Sequence, residues 1–124
     1  MKVFLVIGAL AVALGIAFGA FGAHGLSKRV DAGQLIVWKT ATDYHIYTAI
    51  GLILVGIMLK FFPGFSAWVG AGTVIGVGGL LFSGSLYLLV LTGMRWLGPI
   101  TPLGGLLMII GWCWFAWAAF HSSL

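Results

Sequence analysis

The chain has 124 residues, 62% of them hydrophobic and only 6% charged, with a mean hydropathy of +1.20 and a formal charge of +4. A water-soluble domain carries about 25% charged residues, and a disordered chain is poor in apolar ones, so both classes are excluded. A single all-α membrane domain over residues 1–124 is the expectation.

Four stretches reach the ~20 apolar residues that a bilayer crossing needs, at residues 3–23, 41–62, 67–91 and 102–120. They predict an integral membrane four-helix bundle. The first carries no charge, and its apolar run exceeds the ~7–15 residues of a signal-peptide core, so it reads as a retained helix. Before the second span, Asp31 is a good N-cap type, with Gln34 placed to complete a capping box. Leu35, Trp38 and Ala41 or Thr42 follow at helical spacing, which predicts an amphipathic segment over residues 31–42 lying in the interface and running into the span. Lys39 and Asp43 are four apart on one face of it.

Pro63 ends the second helix and opens a short turn through Ser66. The third connection runs from Thr92 to Pro99, and Thr101-Pro102 predicts the start of the last helix, with Thr as cap and Pro at the first helical position. Trp38, Trp68 and Trp96 are expected at the membrane interfaces, and Trp112, Trp114 and Trp117 in an aromatic belt. Lys28, Arg29, Lys39 and Arg95 fall on one side of such a bundle, with Lys2 and Lys60 on the other. The positive-inside rule then puts the first and third connections in the cytoplasm and both termini outside.

Lipid tails give helices no hydrophobic reason to associate, so small residues that let backbones approach become the packing signal. Ala11, Gly15, Gly19 and Ala23 form one row. Gly72, Gly76, Gly79 and Ser83 form a second, and Gly104, Gly111 and Ala118 a third at seven-residue spacing. Gly15, Gly19, Gly76, Ser83, Tyr87 and Thr101 are therefore candidate packing or pocket positions.

The polar residues His24, Asp43, Tyr44, His45 and Tyr47 gather at one membrane face, and ionisable groups there are functional candidates. Helical geometry already separates them, since Asp43 and His45 point about 200° apart. A metal or bis-His haem would need His24 with His45 and has no third strong ligand, so no cofactor or metal is expected. Ser83 has no acid or histidine at its depth in this topology, which excludes a hydrolase. The six bases are scattered, which excludes a nucleic-acid partner, and lone Cys113 cannot form an intrachain disulfide. With neither Glu nor Asn in the chain, the acid- and amide-dependent four-span transporters and channels are excluded too.

The segments Gly19-Ala20-Phe21-Gly22-Ala23-His24-Gly25-Leu26, Leu81-Phe82-Ser83-Gly84-Ser85-Leu86-Tyr87-Leu88-Leu89 and Gly98-Pro99-Ile100-Thr101-Pro102-Leu103-Gly104-Gly105 occur in this order. Together they resemble the YgdD-like family of small bacterial inner-membrane proteins, which has distant eukaryotic transmembrane relatives. The resemblance implies four spans in a bacterial inner membrane and carries no activity with it. It places His24, Tyr44, Tyr47, Ser83, Ser85, Tyr87, Thr101 and Pro102 at motif positions. The second helix departs from the pattern, which has Gln at the place of His45 and His at that of Thr48. The resulting expectation is a non-enzymatic structural or accessory component, in contact with membrane lipids and acting alone, as a homo-oligomer or in a larger membrane complex. The alternatives are an interfacial lipid- or quinone-binding protein and a passive pore made by an oligomer.

Overall fold

A computed structural model describes residues 2–123. Among the described residues the chain forms four long helices and no strand: α1 (Lys2–His24), α2 (Ala32–Phe61), α3 (Ala67–Thr92) and α4 (Ile100–His121). Single 3-10 turns occupy the first and third connections at Leu26–Lys28 and Arg95–Leu97. All four long helices are apolar and long enough to cross a membrane. At ~1.5 Å per residue, the 22 residues of α4 span ~33 Å, close to the ~30 Å of a hydrocarbon core, while the 30 residues of α2 span ~45 Å. The surplus in α2 is its polar N-terminal end.

That end is held locally. The Asp31 carboxylate accepts from the Gln34 amide at 2.8 Å, and the Gln34 side chain accepts from the Asp31 amide at 3.3 Å, the reciprocal bonds of a capping box. One turn on, Lys39 Nζ stands 3.0 Å from Asp43 Oδ2 on an exposed face. The segment 31–42 is thus the capped beginning of one unbroken helix. At the other end α2 stops before Pro63. α3 stops at Gly93, which takes φ +71, the left-handed conformation that only glycine adopts without strain.

The start of α4 differs from the sequence expectation. Pro99 is its N-cap, and Thr101 lies inside the first turn, where its hydroxyl bonds to that of Ser85 on α3 rather than capping the helix. Pro102 still falls among the first residues, whose amides need no intrahelical acceptor.

Packing follows chain order: α1 lies on α2, α2 on α3 and α3 on α4. The α3–α4 contact is made backbone to backbone by glycines. A Cβ on Gly78 would stand 2.7 Å from the Met108 amide nitrogen, and one on Gly111 would stand 2.8 Å from that of Ile75. Gly104, Gly111 and Ala118 are all buried, as their seven-residue spacing suggests. The row on α3 faces α2, with Gly72 against Val55, Gly76 against Leu52 and Gly79 against Thr48, and the Ser83 hydroxyl donates to the Ala41 carbonyl at 2.8 Å.

On α1 the buried glycines are Gly8, Gly15 and Gly22, again seven apart, and they seat Ile53, Ile46 and Trp38 of α2. Of the row expected there at four-residue spacing, Gly15 packs, whereas Gly19 has nothing within 4 Å of the place a Cβ would take. The reason is geometric. Helices crossing at a shallow angle meet at about every seventh residue, and a four-residue step drifts off the contact line.

Two of the tryptophans expected at the interfaces are packed inside the bundle. Trp38 and Trp68 are 3% and 0% exposed. Each buries its ring and satisfies its indole N–H, on the Phe18 carbonyl at 2.9 Å and the Ser122 hydroxyl at 3.1 Å respectively. Trp96 is exposed, whereas the rings of Trp112 and Trp114 fill the spaces beside Gly51 and Gly70.

Candidate functional site

Successive residues on a helix turn by about 100°, and the structure shows what that does to the polar run on α2. Asp43 turns to Lys39 at the rim of a groove between α1 and the start of α2. Tyr44 and Tyr47 pack ring against ring with centroids 5.4 Å apart, and they line a second groove with Phe82, Met108 and Trp112. His45 alone turns toward α1 and α3. His24 ends α1 on the exposed surface. The five candidates therefore do not converge, and among the described residues no cluster of three or more His, Cys, Asp or Glu side chains forms.

Instead, the structure joins His45 to residues far away in sequence. Its Nε2 lies 2.8 Å from the Ala11 carbonyl oxygen on α1, and its Nδ1 lies 2.8 Å from the Tyr87 hydroxyl on α3. A carbonyl oxygen only accepts, so Nε2 carries the proton. In the neutral ring Nδ1 is then bare, and the Tyr87 O–H donates to it. The direction of the chain is fixed: Tyr87 O–H to His45 Nδ1, and His45 Nε2–H to Ala11 C=O.

Gly15 makes the approach possible. It lies one turn beyond Ala11, and a Cβ on it would press on Ile46 at 2.9 Å and touch the imidazole at 3.4 Å. Around the pair stands an aromatic shell. The Phe18 ring meets Tyr87 edge-on at 4.9 Å, and Trp38 lies 4.7 Å from Tyr87. Leu26, from the first connection, packs into the same cluster and closes it on that side.

His45, Tyr87, Ser83 and Thr48 line a groove of about 390 Å³ that runs between α1 and α3 over α2. Apart from these four, its wall is apolar or glycine, with Gly76, Gly79 and Gly84 forming the α3 side. A histidine does therefore stand near Ser83, contrary to the sequence expectation. The Ser83 hydroxyl is nevertheless committed to the Ala41 carbonyl. Thr101 belongs to neither the His45 pair nor this groove and serves the α3–α4 clasp with Ser85. Sequence reasoning missed Ala11 as a hydrogen-bond partner and Trp38 as a wall of the site. A backbone acceptor leaves no mark in a sequence, and the aromatic position fits an interface equally well.

A family model described as "Protein of unknown function (DUF423)" matches residues 18–105, more than half of the chain. The chain belongs to the DUF423 family. Its relatives include the UPF0382 membrane protein YwdK of Bacillus subtilis, 44% identical over 96% of this chain and 97% of that protein. The UPF0382 membrane protein SSP2132 of Staphylococcus saprophyticus is 46% identical over 90% of this chain and 92% of its own length. A third, SAB0533 of Staphylococcus aureus, is 43% identical over 99% of both. No solved structure matches the chain. This DUF423 protein is thus an all-helical, four-span membrane protein, and the matched region takes in His45, Tyr87 and most of the groove between α1 and α3.

Proposed function

We propose that this DUF423 protein is a non-enzymatic structural or accessory component of a membrane assembly, working through helix contacts within the bilayer. The observation that carries this reading is the outer face of α1. α1 buries little of itself beyond Gly8, Gly15 and Gly22, and it turns Ala9, Ala13, Ala17 and Ala20 outward. Small residues at this spacing let a further helix approach closely in lipid, and the partner is a second copy or another membrane subunit. The protein resides in the bacterial cytoplasmic (inner) membrane with its termini outside, and the finer likeness to the YgdD-like proteins agrees with that setting. Purification in mild detergent tests the reading. A stoichiometric partner or a stable homo-oligomer is expected, and Ala13→Phe should release it. Recovery of a monomer from both proteins would overturn it. Orientation is read separately: Ser27→Cys, in a Cys113→Ala background, should react with an impermeant maleimide only after the cytoplasmic side is opened.

A second reading is favoured by a different observation, the groove that carries the His45–Tyr87 pair. Its volume of about 390 Å³ suits a small ligand, its wall is apolar, and its polar groups lie together at one end. This supports binding of a membrane-soluble amphiphile, a lipid or a quinone-type molecule. Co-purified small molecules extracted from the protein and compared with bulk lipid test it, with enrichment of one species expected.

A further inference from the structure

Every hydrogen-bond donor among the four polar residues lining the groove between α1 and α3 is already engaged. The His45 Nε2–H goes to Ala11, the Tyr87 O–H to His45 and the Ser83 O–H to Ala41, each at 2.8 Å, and the Thr48 hydroxyl points to the Met108 sulfur at 3.6 Å. Hydroxyl oxygens keep acceptor lone pairs after donating their proton. What the groove offers a visitor is therefore acceptors: besides Thr48 Oγ1 on α2, the pair Tyr87 Oη and Ser83 Oγ. Both lie on α3 four residues apart, where side chains on one helix face are neighbours. A carbonyl or ester oxygen arriving there would meet lone pairs, and a hydroxyl would be satisfied.

The surroundings restrict the visitor further. Phe18 and Tyr87 stand edge to face beside the acceptors, a wall suited to a flat ring. The rest of the groove is a strip of glycine and aliphatic side chains that fits an apolar tail. An apolar cavity of ~150 Å³ holds a benzene ring, and about 390 Å³ leaves room for a ring and part of a chain. We infer that the groove between α1 and α3 binds a phenolic amphiphile of hydroquinone type, its ring hydroxyls donating to Tyr87 and Ser83 and its tail lying along the glycine wall of α3. The inference rests on the second reading above and selects, within it, the hydroxyl-bearing reduced ring over the carbonyl-bearing oxidised one.

The test is a calorimetric titration of the full-length protein in dodecyl maltoside, with empty micelles as the blank. The probes are 2-decylhydroquinone kept reduced by ascorbate, its dimethyl ether, and 1-decanol. Saturable binding of the hydroquinone is expected, with the ether and the alcohol each at least ~10-fold weaker, in line with the ~1.4 kcal/mol that a tenfold change represents. Gly84→Leu fills the groove from a position with nothing within 4 Å of its Cβ, so it should fold normally and abolish binding. Tyr87→Phe combined with His45→Leu, which removes the hydroxyl without baring the imidazole nitrogen, should weaken the hydroquinone and leave the ether unchanged. Ether binding as tight as hydroquinone binding would overturn the choice of a donor ligand while groove binding stands. Decanol binding as tight would overturn the ring. Absence of saturable binding by all three, or binding untouched by Gly84→Leu, would overturn the site itself.

Discussion

His45 Nδ1 accepts the Tyr87 hydroxyl at 2.8 Å, and because the same ring donates to the Ala11 carbonyl, the bond between these two residues closes a link across three helices. In a bundle packed in chain order, α1 and α3 are not sequence neighbours and share little backbone contact. The imidazole therefore does for α1 and α3 what glycine rows do for adjacent pairs. It can do so because both ring nitrogens are used, with opposite hydrogen-bond roles.

This arrangement predicts a measurable coupling. Tyr87→Phe keeps the ring packing but leaves Nδ1 without its donor, and His45→Leu removes the acceptor. In a cycle of Tyr87→Phe, His45→Leu and the double variant, the coupling energy should fall at about 0.6–1.7 kcal/mol, the range of interhelical hydrogen bonds in a membrane. Reversible unfolding in mixed micelles measures it. Strict additivity of the two substitutions would show that the contact contributes nothing to stability.

The glycines should divide sharply under substitution by alanine. At Gly78 a Cβ would meet the Met108 amide nitrogen at 2.7 Å and the Gly104 carbonyl at 2.9 Å, both backbone atoms that cannot move aside. Gly78→Ala and Gly104→Ala should each destabilise by about 1–3 kcal/mol, the usual cost of overpacking. Gly19→Ala and Gly84→Ala enter open space and should stabilise by about 0.5–1 kcal/mol through helix propensity. Thermal unfolding in detergent gives all four values. Equal losses at Gly19 and Gly78 would contradict the packing described.

These contrasts show how far the sequence could be read. Four helices follow from hydropathy alone, and the rows on α3 and α4 follow from spacing, because glycine has no other use at Gly72, Gly104 or Gly111 in lipid. On α1, spacing does not decide the row, because the four-residue step through Gly15 and Gly19 coexists with the seven-residue step through Gly8, Gly15 and Gly22, and only the partner helix selects between them. The polar run at Asp43–Tyr47 was legible as a set of residues and already divided by helical rotation. What it lacked was partners. Those of His45 are a main-chain oxygen and a tyrosine 42 positions away, and no local pattern encodes either.

The capping box should matter more than the ion pair one turn beyond it. Asp31→Ala removes the acceptor for the Gln34 amide and should cost about 0.5–2 kcal/mol, while Asp31→Asn keeps most of the cap. Asp43→Asn breaks an exposed i,i+4 pair that is worth about 0.5 kcal/mol or less. Hydrogen exchange at residues 32–36 should rise in Asp31→Ala and remain near wild type in Asp43→Asn. Faster exchange in Asp43→Asn alone would assign the stability of this end to the ion pair instead.

Gly22 and Trp38 should behave as one unit. The indole N–H holds the Phe18 carbonyl at 2.9 Å, and the ring is 3% exposed, so it has little freedom to shift. A Cβ on Gly22 would stand 2.8 Å from Nε1 and closer still to the ring carbon beside it. Gly22→Ala therefore displaces the ring and breaks its bond to Phe18, with an expected loss of about 1–3 kcal/mol. Trp38→Leu loses the bond and the ring packing by itself, but it vacates the space that the alanine methyl needs. In the Trp38→Leu background, Gly22→Ala should be close to neutral. Differential scanning fluorimetry of the two single variants and the double gives the comparison. If the alanine is as costly without the tryptophan as with it, the close approach of α1 to α2 at this level is set by backbone contact and not by the Trp38 ring.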